Sequence, residues 1–509
     1  MELRDKDLLS IQEARDLVAK AKAAQKIFAG FTQEQVDAVV AAIAQAGDQH
    51  AVELAKLANE ETGFGNWQDK VIKNKFAAMT VYEAIKDLKT VGIVSEDKIK
   101  KVIEVAVPVG VIAALVPSTN PTSTVIYKAE ICLKAGNAVI FSPHPTAMKS
   151  IGEAVRIVSE AAVRAGAPAG IISCATLPSK QGTDELMRHK DTKLILATGG
   201  NAMVHAAYSS GTPALGVGPG NAPAFIERTA DIKTAVMRII ASKTFDNSTI
   251  CASEQSVVTE RCIKDQVVEE FKRQGGYFLN AEESEKVGRI LMNAAGNMNA
   301  KIVGRPASYV AKMAGITVPE GTRVILSEQT QVGHAYPFSR EKLTTVLGFY
   351  VEENWETACE RCIELLNNEG AGHTLSLHTT DENIVRQFGL KKPVSRVLVN
   401  ASSSLGGVGG ATGLFPALTL GCGAVGGSAT SDNVNPLNLI NIRRIAYGLR
   451  EVADIRKAMN VAEPVVASAA CCSDVSRGSV AGSVIGAPSD DAIDRLVQEV
   501  VRRIEGKIK

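Results

Sequence analysis

Across residues 10–28 apolar side chains recur at helical spacing, at Ile11, Ala14, Leu17, Val18 and Ala21, which predicts an amphipathic helix. Thr32 opens the next helix with Gln35 three residues on, the pattern of a capping box. Helical periodicity continues through Leu57 and over 76–88, and 98–107 alternates as a strand. The pattern then changes to repeated strand, loop and helix. Apolar strands at 109–116, 137–141, 171–175 and 193–197 alternate with helices over 123–134, from the loop Ser142-Pro-His-Pro145 to Ala165, and over 182–189. Residues 234–242 are helical, with Ala235, Val236, Ile239 and Ile240 on one stripe, and a strand leaves through Ser256, Val257 and Val258. Farther on come a helix at 263–274, helical patterns through Asn293, strands at 323–326 and 346–351, a helix at 357–367 and a strand at 396–399. Alternation of this kind implies parallel sheets covered by helices. Ligands of such sheets bind at the carboxyl ends of the strands, here the loops after Val116, Phe141 and Ala197.

Length and composition narrow the class without naming a chemistry. A chain of 509 residues is expected to form two or three domains. Hydrophobic content of 45% against 22% charged describes a globular protein with ample core. The net charge of +1 offers no electrostatic case for nucleic acid or an anionic membrane. Nine cysteines lack the spacing of a secreted disulfide framework. The N-terminus starts charged, without the apolar core of a signal peptide. The longest apolar run, 105–116, contains Pro108 and is too short to span a bilayer. These features read as a cytosolic protein with reduced thiols.

Candidate chemistry concentrates in a few loops. Cys251 lies between the polar run Asp246, Asn247, Ser248 and Thr249 and the strand that follows. A thiol is most often a small buried hydrophobe, whereas a reactive thiolate needs donors and access; spacing alone leaves both open. Thr198-Gly-Gly200 ends a strand and precedes a helix, so its N–H groups can meet a pyrophosphate. Gly216-Val-Gly-Pro-Gly220 is a weaker cradle, because Pro219 and Asn221-Ala-Pro223 suit a turn into a strand. Asn120, in a proline-bounded loop, is of a kind that caps turns. Cys359 and Cys362 form one isolated pair without the second pair of a zinc site and read as packing.

The stretch Phe245-Asp-Asn-Ser-Thr-Ile-Cys-Ala-Ser-Glu-Gln255 resembles the active-site signature of the CoA-acylating aldehyde dehydrogenases. It is most similar to the aldehyde dehydrogenase half of the bifunctional aldehyde-alcohol dehydrogenases, and the resemblance covers residues 17–450. It implies an α/β fold, aldehyde-dehydrogenase-like, with two Rossmann-like parallel-sheet domains plus an oligomerisation arm. Residues 1–233 would be the cofactor-binding domain, with 98–107 in an oligomerisation hairpin; 234–418 the catalytic domain; and 419–460 a return segment to the cofactor domain and oligomer interface. Cys251 would be the nucleophile, adding to the carbonyl as thiolate, and Asn120 the oxyanion donor. His373, in Glu369-Gly-Ala-Gly-His-Thr374, would deprotonate the CoA thiol or orient the site. Ser142, Pro143 and His144 would meet the adenosine ribose, and Thr198, Gly199, Gly200, Gly216 and Gly218 the rest of the dinucleotide. NAD is the expected cofactor, and NADP stays open because the residues that discriminate in many hydrolytic members are absent.

An absence sharpens the expected chemistry. Hydrolytic relatives carry a glutamate that activates the deacylating water, whereas the matching stretch here, 215–221, holds no carboxylate. A thioester without that base awaits a stronger nucleophile, so coenzyme A is the expected acceptor and the product an acyl-CoA. Acetaldehyde is the first choice of substrate, with propanal and sulfoacetaldehyde as alternatives, and a hydrolytic enzyme making a free acid as the rival. A homo-dimer or tetramer is implied, with no metal. The alcohol dehydrogenase half of the bifunctional members is not expected in this sequence. Residues 461–488 read as a flexible small-residue linker holding Cys471 and Cys472, and 489–509 as an amphipathic helix with Ile493, Leu496, Val497, Val500 and Ile504 on one stripe. Such a tail resembles the encapsulation peptides of microcompartment cargo, which implies a shell or co-cargo partner and a place inside a bacterial microcompartment.

Overall fold

The apolar runs of the first half become strands of a parallel sheet buried on both faces, which is why they lack alternation. The computed structural model describes residues 5–462. In chain order, β1 (Gly92–Asp97) and β2 (Val102–Pro108) form an antiparallel hairpin. Next, β3 (Val111–Val116), β4 (Ala138–Pro143), β5 (Ile172–Cys174), β6 (Thr192–Thr198) and β7 (Ala214–Val217) make a parallel sheet ordered β5-β4-β3-β6-β7. A second parallel sheet holds β8 (Ala222–Ile226), β9 (Glu254–Glu260), β10 (Gly276–Phe278), β11 (Val324–Glu328), β12 (Val346–Glu352), β13 (Gly372–His378) and β14 (Val394–Val399). Its order is β10-β11-β12-β9-β8-β13-β14. Finally β15 (Ile440–Ala446) returns to pair antiparallel with β2. This is the α/β, two-sheet architecture expected from the alternation.

Several local expectations need correction. The strand expected over 98–107 starts at Val102, because Asp97 Oδ1 accepts the N–H groups of Ile99 and Lys100 and closes a turn there. The helix expected over 76–88 begins as a π-helical stretch, Phe76–Thr80, and ends at Ile85. The capping box at Thr32 and Gln35 forms as its spacing implies.

One core cluster joins the first sheet to the N-terminal helices and reaches Phe245, Ile250 and Ala252 beside the cysteine; the second sheet packs its own clusters on either face. Cys359 and Cys362 belong to one of the latter. The segment before β15 is tied to the first sheet's surroundings: Tyr127 donates its hydroxyl proton to the Val434 carbonyl, and Asn137 Nδ2 donates to the Leu439 carbonyl. Described residues 448–462 belong to a separate unit and hold the helix Val452–Ala458. Most of the linker at 461–488, Cys471, Cys472 and the whole helix expected at 489–509 lie outside the described residues. Among the described residues no helix is long and apolar enough to cross a membrane.

Candidate active site

Cys251 sits in the connection between the helix Ile232–Thr244 and β9. That connection is strained. Asp246, Asn247 and Ser248 all have positive φ, at 46°, 49° and 70°, conformations that cost non-glycine residues about 1–3 kcal/mol each. They persist because the surroundings over-determine them. Asp246 Oδ1 accepts the Asn66 N–H at 2.8 Å, and its Oδ2 accepts from Lys70 Nζ at 2.9 Å, Lys73 Nζ at 2.6 Å and Thr249 Oγ1 at 2.7 Å. Asn247 Nδ2 donates to the Gly304 carbonyl, and Ser248 bonds Ser253. A Cβ on Gly65 would lie 1.7 Å from Asp246 Oδ1, and this residue has φ +68°, so only glycine fits.

The thiol meets a histidine from β13, two strands from β9 in the same sheet. Cys251 Sγ is 3.2 Å from His373 Nε2, and His373 Nδ1 is 2.9 Å from Thr374 Oγ1, which also accepts from Arg396 Nε. Burial pushes the imidazole down to about 3, with the Arg396 cation adding to the effect. Burial likewise pushes the thiol up to about 12, helped by the negative charge of Glu341. The resting pair is therefore a thiol beside a neutral imidazole, where the thiolate expected from sequence forms only as the proton leaves. Placing that proton on sulfur makes Nε2 the acceptor and Nδ1–H the donor to Thr374.

Asn120 lies at the mouth of β3, at the start of the helix Pro121–Lys134. Its Nδ2 donates to the Thr249 carbonyl at 3.0 Å, and its Oδ1 accepts from Lys73 Nζ at 2.6 Å. On the other side, Gly220 is pressed against Cys251: a Cβ there would lie 1.8 Å from the Cys251 carbonyl oxygen. The Gly220 N–H donates to Glu341 Oε1 at 2.8 Å. Burial, and then the neighbouring Glu369, push Glu341 up to about 8.

A cavity of about 650 Å³ opens over these groups, lined among others by Asn120, His144, Thr198, Gly199, Gly200, Gly218, Cys251 and Glu341. A second, of about 700 Å³, shares Gly218, Pro219 and Glu369 with it and extends past Tyr208 and Cys422. Gly200 is the N-cap of the helix Asn201–Tyr208, and a Cβ there would meet nothing within 4 Å. Free N–H groups at such an end, facing open space, fit a pyrophosphate.

Three residues expected to meet a dinucleotide lie off the cavity. Ser142 and Pro143 are buried at the end of β4, where Ser142 Oγ bonds Thr183. Gly216 is buried in β7 against Tyr208, and its carbonyl accepts from Ser428. Sequence reasoning missed Lys70, Lys73, Arg396 and Glu341. The lysines, three apart on one helix, and Glu341 lie outside every motif singled out in the sequence.

Residues 7–295 match the model of the aldehyde dehydrogenase family. The chain belongs to the aldehyde dehydrogenase family. It is 47% identical over 442 residues to the bifunctional aldehyde-alcohol dehydrogenase AdhE of Escherichia coli, covering 86% of this chain and 50% of that protein. The chain thus spans about half the length of the bifunctional relatives it matches. The succinate-semialdehyde dehydrogenase (acetylating) of Clostridium kluyveri is 37% identical, with 86% and 96% covered. Among solved aldehyde dehydrogenase structures, an acetylating enzyme from Geobacillus thermoglucosidasius is 53% identical with TM-score 0.87, covering 88% of this chain and 99% of that one. Two propionaldehyde dehydrogenases follow. One, from a Clostridium phytofermentans fucose-utilisation microcompartment, is 29% identical, with TM-score 0.77 and 85% and 97% covered. The other, from Rhodopseudomonas palustris with bound CoA and an acylated cysteine, is 26% identical, with TM-score 0.78 and 85% and 97% covered.

Proposed function

We propose that this aldehyde dehydrogenase is CoA-acylating: aldehyde, NAD(P)+ and coenzyme A give acyl-CoA, NAD(P)H and a proton, through a thioester on Cys251. The observation that carries this reading is the contact between Cys251 Sγ and His373 Nε2, on a loop packed against Gly220, where a side chain has no space. As the thiol adds to the aldehyde carbon, His373 accepts its proton and Asn120 Nδ2, beside the Thr249 carbonyl, donates to the developing oxyanion. A preorganised donor of this kind contributes about 3 kcal/mol to the barrier. The nicotinamide ring, when bound, supplies the hydride acceptor; Thr198, Gly199, Gly200, Gly218 and His144 would hold its dinucleotide. Loss of hydride leaves the acyl group on Cys251.

Deacylation decides between acid and acyl-CoA. Residues 218–220 pass the nucleophile with glycine, proline and glycine, and Gly220 has no space for a side chain. Glu341, the nearby carboxyl group, is pushed up to about 8, so at neutral pH only a minor fraction of it is ionised and able to take a proton from water. The acyl group therefore passes to a thiol. His373, having released the first proton to solvent, takes the thiol proton, and the Cys251–acyl bond breaks with sulfur leaving as thiolate to be reprotonated. This matches a relative whose cysteine is acylated in the presence of CoA.

Acetaldehyde is the proposed substrate, supported by the acetylating and bifunctional relatives, and NAD the proposed cofactor. The tail at 489–509 is proposed to direct packaging in a microcompartment, as befits a fold shared with a microcompartment propionaldehyde dehydrogenase. The proposed assembly is a homo-dimer or tetramer built on the β1–β2–β15 sheet. The test is NADH formation from acetaldehyde and NAD+, with and without CoA, beside Cys251→Ala. Steady turnover only with CoA, lost in the variant, is expected; steady turnover without CoA would make the enzyme hydrolytic.

A further inference from the structure

Behind Asn120 lies a buried charged cluster that the reaction as described does not use. The helix Trp67–Lys75 carries Lys70 and Lys73 on one face, each 3% exposed. Both point at Asp246 Oδ2, and each also reaches the oxyanion loop. Lys70 Nζ donates to the Thr119 carbonyl at 3.1 Å, and Lys73 Nζ to Asn120 Oδ1 at 2.6 Å and to Thr249 Oγ1 at 2.8 Å. Ammonium groups taken out of water are costly unless paired, so two of them at one carboxylate, next to a catalytic loop, call for an explanation beyond stability.

We propose that Lys73 is a positioning residue for the oxyanion site: it fixes which end of the Asn120 amide faces Cys251 and strengthens that end as a donor. This rests on the nucleophilic role given above to Cys251. The two ends of a carboxamide have nearly the same shape, so an asparagine can sit either way round. Here both neighbours forbid one of the ways. Lys73 has donors and no acceptor, and can face only Oδ1; the Thr249 carbonyl has no donor, and can face only Nδ2. A flipped amide would set a positive end against an ammonium and would turn a carbonyl oxygen toward the developing negative charge. The Lys73 charge also draws electron density through the amide, and burial leaves that effect weakly screened.

The loop conformation serves the same end. The left-handed run at residues 246–248 places the Asp246 carboxylate where it holds Lys73, while Thr249, three residues on, offers both Oγ1 to Lys73 and its carbonyl to Asn120. Asp246 keeps Lys70 as a partner when Lys73 is replaced, so a neutral substitution at residue 73 does not strand the carboxylate.

The test compares two reactions of the same thiol in the full-length enzyme. Attack on an aldehyde builds an oxyanion, whereas alkylation by iodoacetamide does not. Lys73→Met is expected to lower kcat with acetaldehyde by about 10- to 100-fold, with alkylation of Cys251 within about twofold of wild type. In an Asn120→Ala background the same substitution should change turnover by no more than about twofold. Lys73→Gln, which keeps a donor but not the charge, should fall between wild type and Lys73→Met. Unchanged turnover in Lys73→Met, equal losses in turnover and alkylation, or a full additional loss in the Asn120→Ala background would each overturn the proposal. If Lys73→Met is not recovered folded, Lys73→Gln decides alone by the same comparison of turnover with alkylation. Absence of CoA-dependent turnover in the wild type would instead sink the acylating reading.

Discussion

On the Asn120 side of Cys251, two buried ammonium groups converge on the Asp246 carboxylate. On the opposite side two carboxyl groups stand together, where the Glu341 N–H donates to Glu369 Oε2 and Gly220 donates to Glu341. In the proposed reaction the positive wall lies behind Asn120, the donor to the negative charge that would develop on the substrate oxygen. The negative wall faces the thiol itself, and opposes its ionisation. In that reaction one site would thus favour the oxyanion while withholding the free thiolate, with sulfur becoming nucleophilic as its proton passes to His373. The division would help keep an acyl group from water, since Glu341, the carboxyl group bonded to the Gly220 N–H, is mostly protonated at neutral pH.

The division can be broken one group at a time. Cys251→Ala removes the nucleophile both walls serve and should lower acyl-CoA formation by a factor on the order of 10⁴ or more, read as NADH production. Asp246→Ala should cost about 3–5 kcal/mol of stability, because it leaves two buried ammonium groups without their carboxylate; denaturant unfolding measures it. Asn120→Ala takes away the oxyanion donor and should lower kcat by about 10²- to 10³-fold with the fold intact. Glu341→Gln touches the negative wall alone. A carboxylate beside the thiol raises its pKa, and Glu341, titrating near 8, is ionised by the time a thiol near 12 loses its proton. Removing that charge should move the midpoint of iodoacetamide inactivation against pH downward, by roughly one unit, with little change in kcat. A shift upward, or none, would remove Glu341 from the account.

Four strands of the first sheet, β3 to β6, were legible because their runs are mostly apolar, while β7 was not expected; Thr198-Gly-Gly200 announced its loop. The second sheet was harder to read. Strand β13 carries His373, Thr374, Ser376 and His378, all buried, and polar residues at that density mask a strand. Cys251 was legible through its neighbours in sequence, but what governs it was not. His373 stands 122 residues away, and Lys73 is 173 residues from Asp246. Contacts of that separation leave no local periodicity. That Ser142, Pro143 and Gly216 lie off the cavity was not legible for a related reason: position at a strand end was readable, but whether the end turned into the cavity or into the core was not.

The central claim is that the acyl group waits on Cys251 for a thiol. The most direct measurement is the intact mass of the enzyme after one turnover with acetaldehyde and NAD+, first without and then with CoA. The account predicts an added acetyl group on Cys251 that persists in water and disappears when CoA is supplied, with acetyl-CoA formed. An adduct lost at the same rate without CoA, leaving acetate, would contradict it.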